Sequence, residues 1–285
     1  MAPGLIDEAW RRADEAAAAG GITIRTLDSI NAIAALDAVF AQVWGSRGHA
    51  FVPIELTQAM RYAGNYVVGA FAGERMIGGS VGFFGEHEGR RHLHSHITGV
   101  LPDLQARALG YAIKVHQRAW ALEAGLDEVV WTYDPLIRRN AYFNLSKLGA
   151  EVVGYEPNFY GDALGDDINA GDESDRAVVR WPIASAGVAA RLADPGGSER
   201  RLGGRADAAV ILDDGPTPRK VGDDPGRPLC AWVPPDIVAI RRSDPALALA
   251  WRRALRATLG AAVAEGYVAV DMSRDGWYRL ERPTA

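Results

Sequence analysis

Apolar positions change their period several times along the chain, and each change marks an element. Leu5 to Ala19 carries an amphipathic helical pattern that stops at Gly20-Gly21, and Ile22 to Leu27 reads as a first strand. Asp28 or Ser29 can cap a following helix whose apolar residues Ile33, Leu36, Val39, Phe40 and Val43 recur at helical spacing. Gly45 to Pro53 is a loop, with Trp44, Arg47, His49 and Phe51 in or beside it. From Asn65 the period falls to two. Two strands joined at Gly73-Glu74, then a third from His92 to Val100, predict an antiparallel meander. Glycines 69, 78, 79 and 82 inside these strands point to close backbone approach or a bulge.

A helical period resumes around Ala108 and runs to about Glu123, ended by Gly125. Leu126 to Tyr133 follows as a strand, expected to lie parallel to the one before the helix. Beyond Asp134-Pro135 come a second helix over RRNAYFNLSKLGA, another strand, a polar loop from Tyr155 to Ser174, and a closing strand from Arg176 to Ile183. Composition then shifts to Gly, Ala, Arg, Asp and Pro from Ala184 to Pro228, as in a linker or loose excursion. The tail predicts a strand within LCAWVPPDIVAI, a helix from Pro245 to Glu265, and two strands around Arg274-Asp275-Gly276. The expected division is residues 1–21 as an N-terminal helix, 22–183 as the core, 184–228 as linker and 229–285 as a C-terminal α/β extension. Such a tail either extends the first sheet or docks as a small half, and it could shape a pocket or a homodimer contact.

Composition narrows the partners. Lys and Arg number 31 against 36 Asp and Glu, leaving a net charge of -5 with no long basic run, which argues against nucleic acid as the main partner. The single cysteine, Cys230, excludes an internal disulfide framework and any cysteine-rich metal site. No signal peptide or membrane span is legible, so the expectation is a cytoplasmic protein with a small-molecule partner and no membrane partner.

The stretch from Leu93 to Gly110, LHSHITGVLPDLQARALG, joins a strand to a helix. A strand exit that delivers backbone N–H groups to a helix's first turn makes an anion site, and that geometry suits a pyrophosphate. The order Val100-x-Pro102-x-x-Gln105-x-Arg107-Ala108-x-Gly110 resembles the acyl-CoA pyrophosphate loop of the GNAT superfamily of N-acyltransferases, written Q/R-x-x-G-x-G/A after a V-x-P strand end. Gln105 and Gly110 match its first and last positions. Ala108 replaces the middle glycine and Ala106 stands where glycine is also common; alanine permits the helical dihedrals expected there. RRNAYFNLSKLGA resembles the second signature of the family, Y-x-K-x-G-F: Lys147 and Gly149 match, while Leu145 takes the tyrosine slot and Ala150 the phenylalanine slot. The resemblance covers Ile22 to Ile183. It implies an α/β (α+β) fold: a mixed, mostly antiparallel sheet with splayed central parallel strands, flanked by helices. It also assigns Gly99, Val100, Gln105, Ala106, Arg107, Ala108, Leu109, Gly110 and Asn140 to the acyl-CoA.

Acyl transfer from CoA to an amine needs a held thioester, a deprotonated amine, and a stabilised oxyanion and leaving thiolate. His92, His94 and His96 alternate along one strand and so point to one face. Counted back from Val100, His94 falls where many members of the family carry a glutamate base, which makes His94 the first candidate base and His96 the second. An unperturbed imidazole has a suitable pKa for that task. Tyr142, three residues before the vacant tyrosine slot on the same helical face, is the substitute proton donor, or a packing residue. Asp134 at a strand's carboxyl end could accept from a substrate ammonium, or form the turn and cap a helix. Alternate strand residues lie about 7 Å apart, so three in a row fit a single metal poorly and no metal is expected. The resemblance implies acetyl-CoA or succinyl-CoA as co-substrate and a small amine, such as an amino acid, as acceptor. Ala108 and Leu145 support an alternative, a non-catalytic CoA-binding or regulatory module. A third reading has the fold recruited to another acyl-CoA reaction such as decarboxylation.

Overall fold

The computed structural model describes residues 3–45, 50–87, 89–161, 172–194, 207–220 and 227–283, with the backbone alone at Pro3, Gln105, Ala106 and Arg107. Its contacts divide the chain into two units, Met1–Val130 and Trp131–Ala285.

In the first unit α1 (Pro3–Gly20) leads into β1 (Thr23–Thr26). Helix α2 (Ile30–Trp44) starts where expected because Ser29 Oγ accepts from the Ala32 amide at 3.3 Å. After α3 (Ile54–Tyr62) come β2 (Val67–Ala72), β3 (Arg75–His87) and β4 (Arg90–Val100), an antiparallel meander turning at Gly73 with φ 58°. A 3-10 turn, Pro102–Arg107, then delivers the chain to α4 (Leu109–Glu123), and β5 (Val129–Tyr133) returns parallel to β4. The strands run in the order β1-β2-β3-β4-β5.

Helix α4 covers one face of this sheet and is itself covered by α1. Fully buried Arg118 meets Glu8 at 3.1 Å, and the Trp10 ring meets His116 edge-on at 5.1 Å. Helices α2 and α3 cover the other face through a core of Leu27, Ile33, Leu36, Phe40, Val67 and Val81. The strand glycines answer a steric demand, as their pattern implied: a Cβ on Gly79 would stand 2.4 Å from the Val68 carbonyl and 2.5 Å from Leu36.

In the second unit α5 (Arg138–Ala141) runs into a π-helical turn, Tyr142–Lys147, followed by β6 (Glu151–Glu156) and β7 (Arg176–Trp181). The composition-biased segment after β7 is not wholly irregular. Ser185 caps α6 (Ala186–Ala193), which buries Val188 and Leu192, and β8 (Ala209–Leu212) follows. The tail supplies β9 (Leu229–Trp232), α7 (Ile237–Ser243), α8 (Pro245–Leu255), a π-helical turn at Arg256–Gly260, α9 (Ala261–Ala264), β10 (Val268–Met272) and β11 (Trp277–Glu281). Strand β10 pairs antiparallel with β6 at Ala269 and Val152, so the tail's strands extend the sheet that β6 and β7 begin, in the order β7-β6-β10-β11-β9-β8. Mixed α/β structure with a mostly antiparallel, helix-flanked sheet is the class the sequence implied.

Candidate functional site

Strand β4 pairs with β5 at two positions only, Leu93 with Val129 and His94 with Val130. Beyond His94, β4 continues to pair with β3, through Ser95 and on to Val100. Just past Ser95 this ladder slips. Gly82 pairs with Ser95 and Val81 with Ile97, which leaves His96 as an inserted residue in a β-bulge. His94 stacks on Phe83 at 4.9 Å, His96 lies 6.0 Å from the same ring and 6.3 Å from His94, and Ile97 joins the core beneath α2. Strict alternation would have sent Ile97 to the opposite face; the bulge keeps it beside His96. His92 shares this face, since a Cβ on Gly85 would meet its Nε2 at 2.6 Å.

Electrostatics separate the histidines. Loss of water, then the charges of His96, His92 and Lys114, pull His94 down to about 4. It is therefore neutral near pH 7 but a much weaker base than an unperturbed imidazole, which corrects the expectation that its ordinary value suits the task. His96 is drawn down by burial as well, yet it reaches solvent. Among the described residues no group of three His, Cys, Asp or Glu side chains is arranged to hold a metal ion.

The start of α4 lies just beyond. Ala108 has φ 57° and ψ 20°, in the left-handed region. This departs from the helical dihedrals expected there, and alanine adopts the left-handed region at a cost of about 1 kcal/mol. The Ala108 carbonyl accepts from the Tyr111 and Ala112 amides at 3.0 and 3.2 Å, and no side chain caps the helix. A helix's first amides have no acceptor within it, and the dipole adds positive potential at this end. Leu109 is buried in the core, whereas a Cβ placed on Gly110 would meet nothing within 4 Å among the described residues. Among these residues the helix start is thus anchored on one side and open on the other. Val100 is buried, and Gly99 gives room to Trp44, whose ring a Cβ would meet at 2.7 Å. The side chains of Gln105, Ala106 and Arg107, and residues Arg47 and His49, fall outside the described residues.

The remaining candidates belong to the second unit. Asp134 is buried with its oxygens committed: Oδ1 accepts from Arg252 at 2.7 Å and from the Leu136 amide at 2.9 Å, and Oδ2 from Arg241 at 2.6 Å and Arg252 at 2.9 Å. Burial opposes its charge, but the two guanidiniums win and hold the carboxyl well below the usual range. A substrate ammonium would have to displace one of them. Asn140 is exposed at α5. Tyr142 stands at the entry to the π-helical turn, its hydroxyl accepting from Arg274 Nε at 3.3 Å with the Lys147 ammonium 5.6 Å from its ring. Leu145, in the tyrosine slot, is fully buried.

Two sets of polar residues were not singled out from the sequence. One is the arginine pair that neutralises Asp134, separated from it by more than a hundred positions. The other is Lys114 and Gln117 on α4 with Ser80 and Ser95 on the sheet, all buried. A signal for the second set was available: Lys114 and Gln117 fall within the stripe that Gly110 and Ala121 continue, where an amphipathic helix should be apolar.

No protein-family model matches the chain, and no curated protein matches it. Solved structures do. The ribosomal-protein-S18-alanine N-acetyltransferase from Escherichia coli is 14% identical with a TM-score of 0.46, the match covering 58% of this chain and 96% of that one. An N-acyl amino acid synthase from uncultured soil microbes is 14% identical with a TM-score of 0.43, covering 57% of this chain and 91% of that one. An aminoglycoside acetyltransferase from an uncultured soil metagenomic sample is 17% identical with a TM-score of 0.35, covering 40% and 76%. At such identities and scores, the functional reading rests on this chain's own residues.

Proposed function

We propose that this protein is an acyl-CoA-dependent N-acyltransferase of the GNAT superfamily, moving an acetyl or succinyl group from its CoA thioester to the amine of a small molecule. The observation that supports it most is one juxtaposition within the first unit. An uncapped helix start, entered through left-handed Ala108, follows by a single 3-10 turn from a strand that bulges at His96, beside His94. The backbone amides at Ala108 to Gly110 suit the pyrophosphate.

On this reading the amine nitrogen attacks the thioester carbonyl carbon directly, with no covalent enzyme intermediate. The amine proton passes to His96, which is solvent-reached and on the face shared with Phe83 and His94. Neutral His94 lies beside it without adding a competing positive charge. The C–S bond then breaks, and the departing thiolate takes a proton from water.

The weak basicity of His94 and the buried Leu145 in the tyrosine slot support a second reading, a module that binds CoA without turning it over. Thiol release from acetyl-CoA and succinyl-CoA against a panel of amino acids and other small amines separates the two. Amine-dependent release is expected. Calorimetric CoA binding without release from any pair favours the module.

A further inference from the structure

Beneath the bulge of β4, on the face away from the histidines, four buried polar side chains form a connected chain. Lys114 Nζ donates to Ser95 Oγ at 2.9 Å and to Gln117 Oε1 at 2.9 Å. Gln117 Nε2 reaches Ser80 Oγ at 3.5 Å; Ser80 Oγ donates to the Ile97 carbonyl at 3.0 Å and lies 2.8 Å from Thr98 Oγ1. Ser80 and Gln117 are 0% exposed, and Ser95 and Lys114 5%. An ammonium in such a place is costly unless its hydrogen bonds are met, so a core position spent on lysine calls for a reason.

The reason lies in what the chain brackets. Inserting His96 breaks the ladder with β3 between Ser95 and Ile97, and an unsupported slip of one residue would send every following side chain to the wrong face. Lys114 holds the residue before the insertion and, through Gln117 and Ser80, the carbonyl of the residue after it. We propose that Lys114 is a positioning residue for the acyl-transfer site: its buried ammonium, relayed by Gln117 and Ser80, pins the bulge that presents His96 on the same face as His94. This inference rests on the acyltransferase reading for its functional meaning, though not for its structural content.

Charge supports the same assignment. The charged and titratable groups acting on His94 are His92 and His96 from its own strand and Lys114 from α4 across the sheet; β3 presents Phe83 and β5 presents Val130. Lys114 itself is brought down to about 7 by burial, so part of its charge remains near neutrality. A cation on the opposite face of β4 discourages a proton on His94.

The test uses the full chain with Lys114→Met, and with Ser95→Ala as a milder variant should the first fold poorly. Histidine ring titrations by nuclear magnetic resonance and amide exchange at residues 95 to 97 report without any substrate. In Lys114→Met the His94 midpoint is expected to rise from about 4 by at most about half a pH unit, since Lys114 is the smallest of the four causes that lower it. Exchange at His96 and Ile97 should quicken at least about tenfold in both variants. Turnover should fall about tenfold while the amine KM and the CoA affinity stay within about twofold, the pattern of a displaced base. Unchanged exchange and an unchanged His94 titration in both variants would overturn the proposal. Changed exchange and titration in a protein whose wild type transfers no acyl group would uphold the pinning of the bulge and reject the acyltransferase reading instead.

Discussion

Replacing Lys114 by methionine removes a single titratable group from the core, and its effect on stability can be worked out in sign and size. Burial takes the ammonium from its ordinary value of 10.5 to about 7 in the folded chain. Between those values the unfolded chain holds a proton that the folded chain has lost, so stability rises with pH across the window. The slope is about 1.4 kcal/mol per pH unit, and the full window amounts to about 5 kcal/mol. Below pH 7 both states hold the proton and the group adds no pH dependence. The bonds to Ser95 and Gln117 contribute about 1 kcal/mol each, and the variant forfeits both. Methionine should therefore match or exceed the wild type in stability at pH 6. The comparison should then shift in the wild type's favour by about 3 kcal/mol between pH 7.5 and 9.5. Urea unfolding followed by circular dichroism at each pH measures this, because all other titrating groups cancel between the two proteins. Parallel curves across the range would mean that water reaches the ammonium and that the burial argument is wrong.

Three further outcomes are expected. Ala108→Gly relieves a left-handed alanine, and since glycine also gains freedom when unfolded, the net rise in stability should stay below about 1 kcal/mol; a clear loss in a thermal melt would contradict the positive φ. Asp134→Asn leaves the buried Arg241 and Arg252 to share Asp172, which accepts from them at 2.9 and 2.8 Å, and should cost about 3 kcal/mol in urea unfolding, whereas a wild-type midpoint would show the network to be dispensable. Gly110→Glu sets bulk and negative charge at the start of α4 and should abolish CoA binding in calorimetry while the fold persists, because its Cβ meets no described atom within 4 Å. Unaltered affinity would remove that helix start from the site.

Much of this was legible in the chain. The Gly73-Glu74 turn, the Ser29 cap and the alternation of His92, His94 and His96 are local signals, and local physics honoured them. Other features depend on partners far away in sequence. The bulge at His96 is a mismatch between β3 and β4 that no alternation in β4 alone records, and it moved Ile97 across the sheet. The low basicity of His94 follows from burial and from a lysine on another element. Asp134 looked available for a substrate because its two arginines lie in the tail, more than a hundred positions away. Ala108 read as helical because alanine usually is, yet the turn into α4 places it in the left-handed region.

Acyl transfer itself is the central claim, and mass spectrometry of the reaction product tests it most directly. Wild type and Gly110→Glu would each be incubated with acetyl-CoA or succinyl-CoA and a panel of small amines, with thiol release followed in parallel. The account expects an acylated amine whose mass matches the acyl group supplied, formed by the wild type and lost in Gly110→Glu. Full product formation by Gly110→Glu, or thiol release by the wild type without an acylated amine, would contradict it.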